Sequence, residues 1–268
     1  MDIGTLVRLP QGRVAGPSDY VRIMAVMLEV CVTSVEEAEV AASCGVDSVE
    51  VCSWLACGGI TPSSGLVDAM RSAVKIPVRV LVRPGPGGFI YSPAETLALL
   101  TDVEVFGGGA IGLVTGALEE NGSLNERVLA SVMRLAPESE ITFHRAIDHA
   151  ADMPSALDRC MELGVHRVLT SGGSTLAMDG AAMLKQLVAR AGEQLTVAAA
   201  GGINATNVVE LIERTGVMEV HFAAQRPKPG KALGAAMSSA NVGVNFETEP
   251  DRAKIEGVMN ALAKAGLR

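Results

Sequence analysis

Aromatic side chains are almost missing: one Trp, two Tyr and five Phe stand among 268 residues. The apolar 49% of the chain is therefore mostly Ala, Val, Leu, Ile and Met, the filling of helices packed on a parallel sheet. That share excludes a disordered chain. Positive charge is short as well. Lys and Arg number 22 against 30 Asp and Glu, a formal charge of −8, which leaves no footprint for nucleic acid or an anionic membrane surface. No apolar run approaches the ~20 residues of a membrane span. The first stretch, MDIGTLVRLPQGRVAGPSDY, is broken by Pro10, Gly12, Gly16 and Pro17 and lacks the apolar segment of a secretory signal. Five cysteines, an odd number with no CxxC, do not suggest a disulfide framework, so reduced thiols and a cytoplasmic location are expected. GxSxG, P-loop, HExxH and DNA-binding motifs are all absent.

What is present is alternation. Residues 1–24 are expected to form a loosely ordered extension. From residue 25 short β-branched runs alternate with longer helix-like segments. The runs are AVMLEVCV (25–32), VDSVEVC (46–52), IPVRVLVR (76–83), AIGLVT (110–115), ITFHR (141–145), HRVLTS (166–171), LTVAAA (195–200) and MEVHFA (218–223). The helical segments carry start and stop signals. SVEEAEVAASCG (34–45) has Ser34 as cap and Gly45 as stop; SPAETLALLTDVEVFG (92–107) has Ser92 as cap, Pro93 in the first turn and Glu95 at the third position. Eight strand–helix units in about 240 residues predict a single (β/α)8 TIM-type barrel over residues 25–268. The rival, an open doubly wound sheet, lacks its usual GxGxxG after the first strand.

Strand side chains alternate, and in a barrel the outward set must be apolar to meet the helices. That rule sends Glu29 and Cys31, Glu50 and Cys52, Arg79 and Arg83, Thr142 and His144, and Glu219 and His221 inward. Charge in a barrel core must pair or line a site. Cys31, Cys52, Arg83, His144 and His221 fall near the C-terminal strand ends, where barrel active sites lie, with Glu29, Glu50, Arg79 and Glu219 a residue pair deeper. The alternatives are a buried Glu–Arg network without chemistry and a site built on top of one.

Three constellations follow. Glu-x-Cys occurs at 29–31 and 50–52 on strands expected to be neighbours. Two such thiolates suit a soft, low-coordinate ion such as Cu(I), and with a histidine they supply three ligands for zinc; equally, cysteine is a common small core residue. Loops TSGGS (170–174) and AAGGIN (199–204) offer the N–H groups of Gly172, Gly173, Gly201 and Gly202 to a phosphate or other anion, or simply make tight turns. HRAID (144–148) sets His144 near Asp148, so that His144, assisted by Glu50 or Asp148 and with Arg83 on a substrate anion, can act as a general acid or base. No lysine lies in or just after a strand, which disfavours a Schiff-base aldolase. No organic cofactor is expected. Residues 225–251 have little periodicity and suit a lid, an oligomer arm or a mobile loop.

MLEVCVTSVEEA (27–38), SVEVCSWLACGGITPS (48–63), FIYS (89–92), GLVTGAL (112–118), TFHRAID (142–148), RVLTSGG (167–173) and MEVH (218–221) together resemble the CutC family of copper homeostasis proteins. The resemblance runs from about residue 27 to 225. It implies a (β/α)8 barrel, a cytoplasmic homo-oligomer, and Cu(I) bound by Cys31 and Cys52, without a settled catalytic activity. The sequence departs from the family's pattern at Gly85 and Gly88, where an arginine and an aspartate are expected. Cys57 stands in place of an acid, Asn121 or Asn125 in place of an aspartate, and Ala223 in place of a serine. These losses count against any family enzymatic activity and favour a barrel that has lost activity and survives as an interaction protein. Cys57 adds a third thiol near the mouth.

Overall fold

The computed structural model describes residues 25–108, 111–228 and 247–268. The expected extension at 1–24 and most of the 225–251 loop lie outside the described residues. Among the described residues eight barrel strands alternate with eight helices: β1 (Met27–Val32), α1 (Val35–Cys44), β2 (Ser48–Val51), α2 (Ser64–Ala73), β3 (Val78–Leu81), α3 (Pro93–Phe106), β4 (Gly112–Thr115), α4 (Glu126–Leu135), β5 (Ile141–Phe143), α5 (Met153–Glu162), β6 (Arg167–Thr170), α6 (Ala181–Ala191), β7 (Thr196–Ala200), α7 (Val208–Thr215), β8 (Glu219–Ala223) and, after a separate antiparallel strand pair, α8 (Arg252–Lys264). Each strand pairs in parallel with the next, and β8 closes on β1 with Glu29 opposite His221. This is the (β/α)8 barrel expected from the alternation.

The outward strand residues are the apolar ones. Val30, Val49, Val51, Val80, Leu113, Ile141, Phe143, Val168 and Val220 are buried in one core cluster with helix residues such as Leu99, Leu157 and Leu184. Each such side chain contributes roughly 1.5–3 kcal/mol of transfer free energy. The helices begin where the sequence says. Ser34 accepts from the Glu37 amide, and Ser92 forms a full capping box with Glu95 ahead of Pro93. Gly45 ends α1 at φ +86°, a left-handed conformation that suits a residue without Cβ.

The expected runs overshoot the strands by up to two residues, and two differences have a structural cause. The fifth run ends at Phe143 because His144 Nδ1 accepts the Ala146 N–H and starts a 3₁₀ turn over Arg145–His149. The 225–251 segment opens with β9 (Gln225–Pro227), which pairs antiparallel with β10 (Thr248–Pro250) and so pins the base of that loop beside the barrel.

Candidate metal centre and barrel mouth

The deepest polar layer is an ion network. Glu29 is fully buried and receives Arg167 at 2.8 Å, His221 Nδ1 at 2.8 Å and Ser48 Oγ at 3.1 Å, together with Arg79. Arg167 also reaches Glu219 at 2.7 Å, and Arg79 reaches Glu140 at 2.9 Å towards the bottom of the barrel. Burial works against an ionised Glu29, but Arg167, His221 and Arg79 outweigh it and hold the carboxyl well below its usual range. The inward phasing of Glu29, Arg79, Glu219 and His221 is thus seen directly. Arg167 joins this layer from β6, and the signal for it is Val168: with Val168 facing the helices, Arg167 and Leu169 face inward.

Above this layer lies the thiol pair. In the β1–β2 register Cys31 stands opposite Glu50, level with it rather than a residue pair higher as expected. Barrel strands are staggered, so equal sequence offset does not mean equal height. Cys52 sits just past the end of β2, its N–H bonded to the Val32 carbonyl, and its Sγ lies 3.3 Å from Cys31 Sγ. Both sulfurs are buried in a small cluster with Leu81 and Val114. Contact with Cys52, burial and the nearby Glu50 and Glu29 push the Cys31 thiol well above its usual pKa. Burial likewise raises Glu50, assisted by Glu29, while Glu50 and Glu29 raise His221 against the opposing effect of burial. Ligating atoms of Cys31, Glu50 and His221 fall within 4.8 Å of one another. With His221 Nδ1 held by Glu29, its Nε2 is the nitrogen left for a ligand.

The mouth is a cavity of about 270 Å³ with Cys31, Glu50 and His221 on its floor and Leu55, Cys57, Arg83, Phe89 and His144 around it. Arg83 ties the loops after β2 and β3 together. Its guanidinium donates to the carbonyls of Cys57, Gly59 and Gly87 and lies 5.2 Å from the Phe89 ring centre. Gly59, at φ +88°, permits this crossing: a Cβ there would fall 2.7 Å from Leu81 and 3.3 Å from Cys52 Sγ. Cys57 donates to the Trp54 carbonyl at 3.0 Å, and Trp54 holds a left-handed φ of +50°, strain for a bulky residue, on the same loop.

His144 is buried against Phe89, ring centres 5.0 Å apart. Burial foremost, then the Arg83 charge, lowers its pKa to about 3, so the ring is neutral. Nδ1 is spent as an acceptor, which places the proton on Nε2, and Nε2 has no partner.

Asp148 is differently employed from the expected acid–base partner. It accepts from Arg145 Nε at 2.8 Å, Ser171 N at 3.0 Å, Ser171 Oγ at 2.8 Å, Gly173 N at 3.1 Å and the Thr170 hydroxyl. It clasps the loop after β6 to the 3₁₀ turn after β5. The Gly172 N–H goes to Thr170 Oγ1 at 3.0 Å. Neither late loop borders the cavity, so Gly172, Gly173, Gly201 and Gly202 stand apart from Arg83 and His144. Of the departures noted in the sequence, Asn125 caps α4 and Asn121 accepts the Ser123 N–H in the loop before it.

Fold and site together define a (β/α)8 barrel with a charged floor, a buried thiol pair and an open polar mouth at the C-terminal strand ends. The CutC family model matches residues 26–226. A "family protein CutC" of Photobacterium profundum is 35% identical over 89% of this chain and all of its own length; the human "Copper homeostasis protein cutC homolog" is 34% identical over 96% of this chain and 94% of its own. The crystal structure of the "Putative Copper Homeostasis Protein CutC" from Streptococcus agalactiae superposes with a TM-score of 0.69 at 26% identity, covering 74% of this chain and 98% of that one. The chain belongs to the CutC family.

Proposed function

We propose that this barrel handles copper, binding one Cu(I) between Cys31 and Cys52 and buffering or passing on the ion in the cytoplasm. The observation that carries the reading is the 3.3 Å approach of two reduced, buried sulfurs at the floor of an open cavity. Two thiolates are a soft donor set that favours Cu(I) over harder ions. A linear ion needs the sulfurs to separate to about twice a metal–sulfur bond of ~2.3 Å; a third ligand such as His221 Nε2 lessens that opening. Cys31 borders the cavity and gives the ion a way in. Binding must displace thiol protons, so uptake strengthens as pH rises. Reduced thiols fit the cytoplasm, and no helix among the described residues is long and apolar enough to cross a membrane. Exposed Ile90, and Leu97 and Val105 on α3, give a homo-oligomer an apolar surface.

The test is an anaerobic Cu(I) titration of the reduced protein against a chromogenic chelator, beside the Cys31→Ser/Cys52→Ser variant. Tight uptake of one ion, lost in the variant, is expected. Equal, weak uptake by both would make the thiols core packing. A second reading, an enzyme acting on a small phosphorylated or carboxylated metabolite with His144 as acid or base, draws on the mouth cavity. It fits a carboxylate better than a phosphate, because the Gly172 N–H is taken by Thr170 and the Gly173 N–H by Asp148.

A further inference from the structure

Three buried side-chain atoms on residues that border the mouth cavity have no hydrogen-bond partner: Glu50 Oε2, Arg83 Nε and His144 Nε2. Native proteins leave few such atoms unpaired, and a cluster of them around one cavity calls for a ligand. Two of the three are donors. Arg83 is always a guanidinium cation, and His144 carries its proton on Nε2 because Nδ1 accepts the Ala146 N–H at 3.2 Å. Both pack on the same ring, Phe89, at 5.2 and 5.0 Å from its centre. Among the described residues the guanidinium of Arg83 is met by three backbone carbonyls and forms no ion pair. A cation without a counter-ion beside a fixed neutral donor is a receptor for a carboxylate. Leu55, Leu81, Val114 and Leu169 supply the apolar wall.

We propose that the mouth binds a small organic carboxylate. Its charged oxygens accept from Arg83 Nε–H and His144 Nε2–H beside Phe89. Its short carbon chain lies along the apolar wall, and a hydroxyl on it donates to Glu50 Oε2. A cavity of about 270 Å³ lies at the small end of ligand sites and suits a chain of a few carbons. A phosphate ester finds no such fit, since Asp148 and Thr170 take the amides of the Gly172–Gly173 loop. This site goes beyond the copper reading and does not depend on it.

The experiment is calorimetric titration of the reduced, metal-free, full-length protein with straight-chain 2-hydroxy and 2-oxo acids of three to six carbons. The matched neutral amides and inorganic phosphate serve as controls. At least one acid is expected to saturate the protein, bind roughly tenfold or more tightly than its amide, and resist competition by phosphate. His144→Asn keeps an acceptor for the Ala146 N–H but removes the Nε2–H donor, and should weaken that acid by roughly tenfold. In the wild type the Nε2–H proton resonance of His144 should shift on saturation. The Cys52→Ser variant, whose side chain does not border the cavity, should keep its affinity for the acid whatever its copper uptake, which separates failure of this site from failure of the metal site. Saturation by none of the acids, equal binding of acid and amide, tighter binding of phosphate, or full affinity in His144→Asn would each overturn the proposal.

Discussion

Acidification from pH 8 to pH 5 should cost the barrel about 2 kcal/mol through His144 alone. In the fold the ring is buried against Phe89 beside the Arg83 guanidinium, and its pKa is lowered to about 3; in the unfolded chain it returns to about 6.5. Between those values the unfolded chain holds a proton that the folded chain refuses. Stability from this residue is therefore complete above pH 6.5 and falls steadily as pH drops towards 3. Over the 1.5 units from 6.5 to 5, at 1.36 kcal/mol per unit, the loss is about 2 kcal/mol. Other groups titrate in the same range, so the quantity to measure is a difference. Urea unfolding of wild type and His144→Asn is followed by circular dichroism at pH 8, 7, 6 and 5, and the variant's stability is subtracted at each pH. The difference should shrink by about 2 kcal/mol from pH 8 to pH 5. A difference that stays flat with pH would mean that His144 protonates freely in the fold, and the neutral Nε2–H donor at the mouth would go with it.

Glu29→Gln should destabilise the protein by about 3 kcal/mol or more in urea melts, because it removes the carboxylate shared by buried Arg167 and Arg79; a cost below about 1 kcal/mol would show that Glu219 and Glu140 suffice. Gly116→Ala would put a Cβ 2.6 Å from His144 Nδ1, so the ring should be displaced and the pH-dependent term above lost; an unchanged profile counts against that packing. Asp148→Ala leaves the donors of Arg145, Thr170, Ser171 and Gly173 without their acceptor. Faster amide exchange in residues 170–174, with copper uptake unchanged, is the expected outcome; unaltered exchange would return Asp148 to the chemistry.

Much of this was readable in order along the chain. Eight β-branched runs, the Ser34 and Ser92 caps and the Gly45 stop are local signals, and each marks an element in the structure. The inward phasing of Glu29, Cys31, Glu50, Arg83 and His221 followed from the two-residue period of a strand, because the apolar partners had to face the helices. Where strand ended and turn began at His144 was not readable, since the reason is a side-chain bond to a backbone N–H two residues on.

By itself, then, the sequence determined the barrel, the polar character of its interior and the two cysteines on adjoining strands, because those depend on periodicity, caps and residue type. Only the tertiary structure decided what met what. Strand stagger set Cys31 against Glu50 and still brought the sulfurs to 3.3 Å. Arg167 joined Glu29 across 138 positions of chain through closure of the barrel. Asp148 was drawn away from His144 because the loop after β6 offered it more donors than the ring did. Those outcomes depend on distances between segments remote in sequence, which no local pattern encodes.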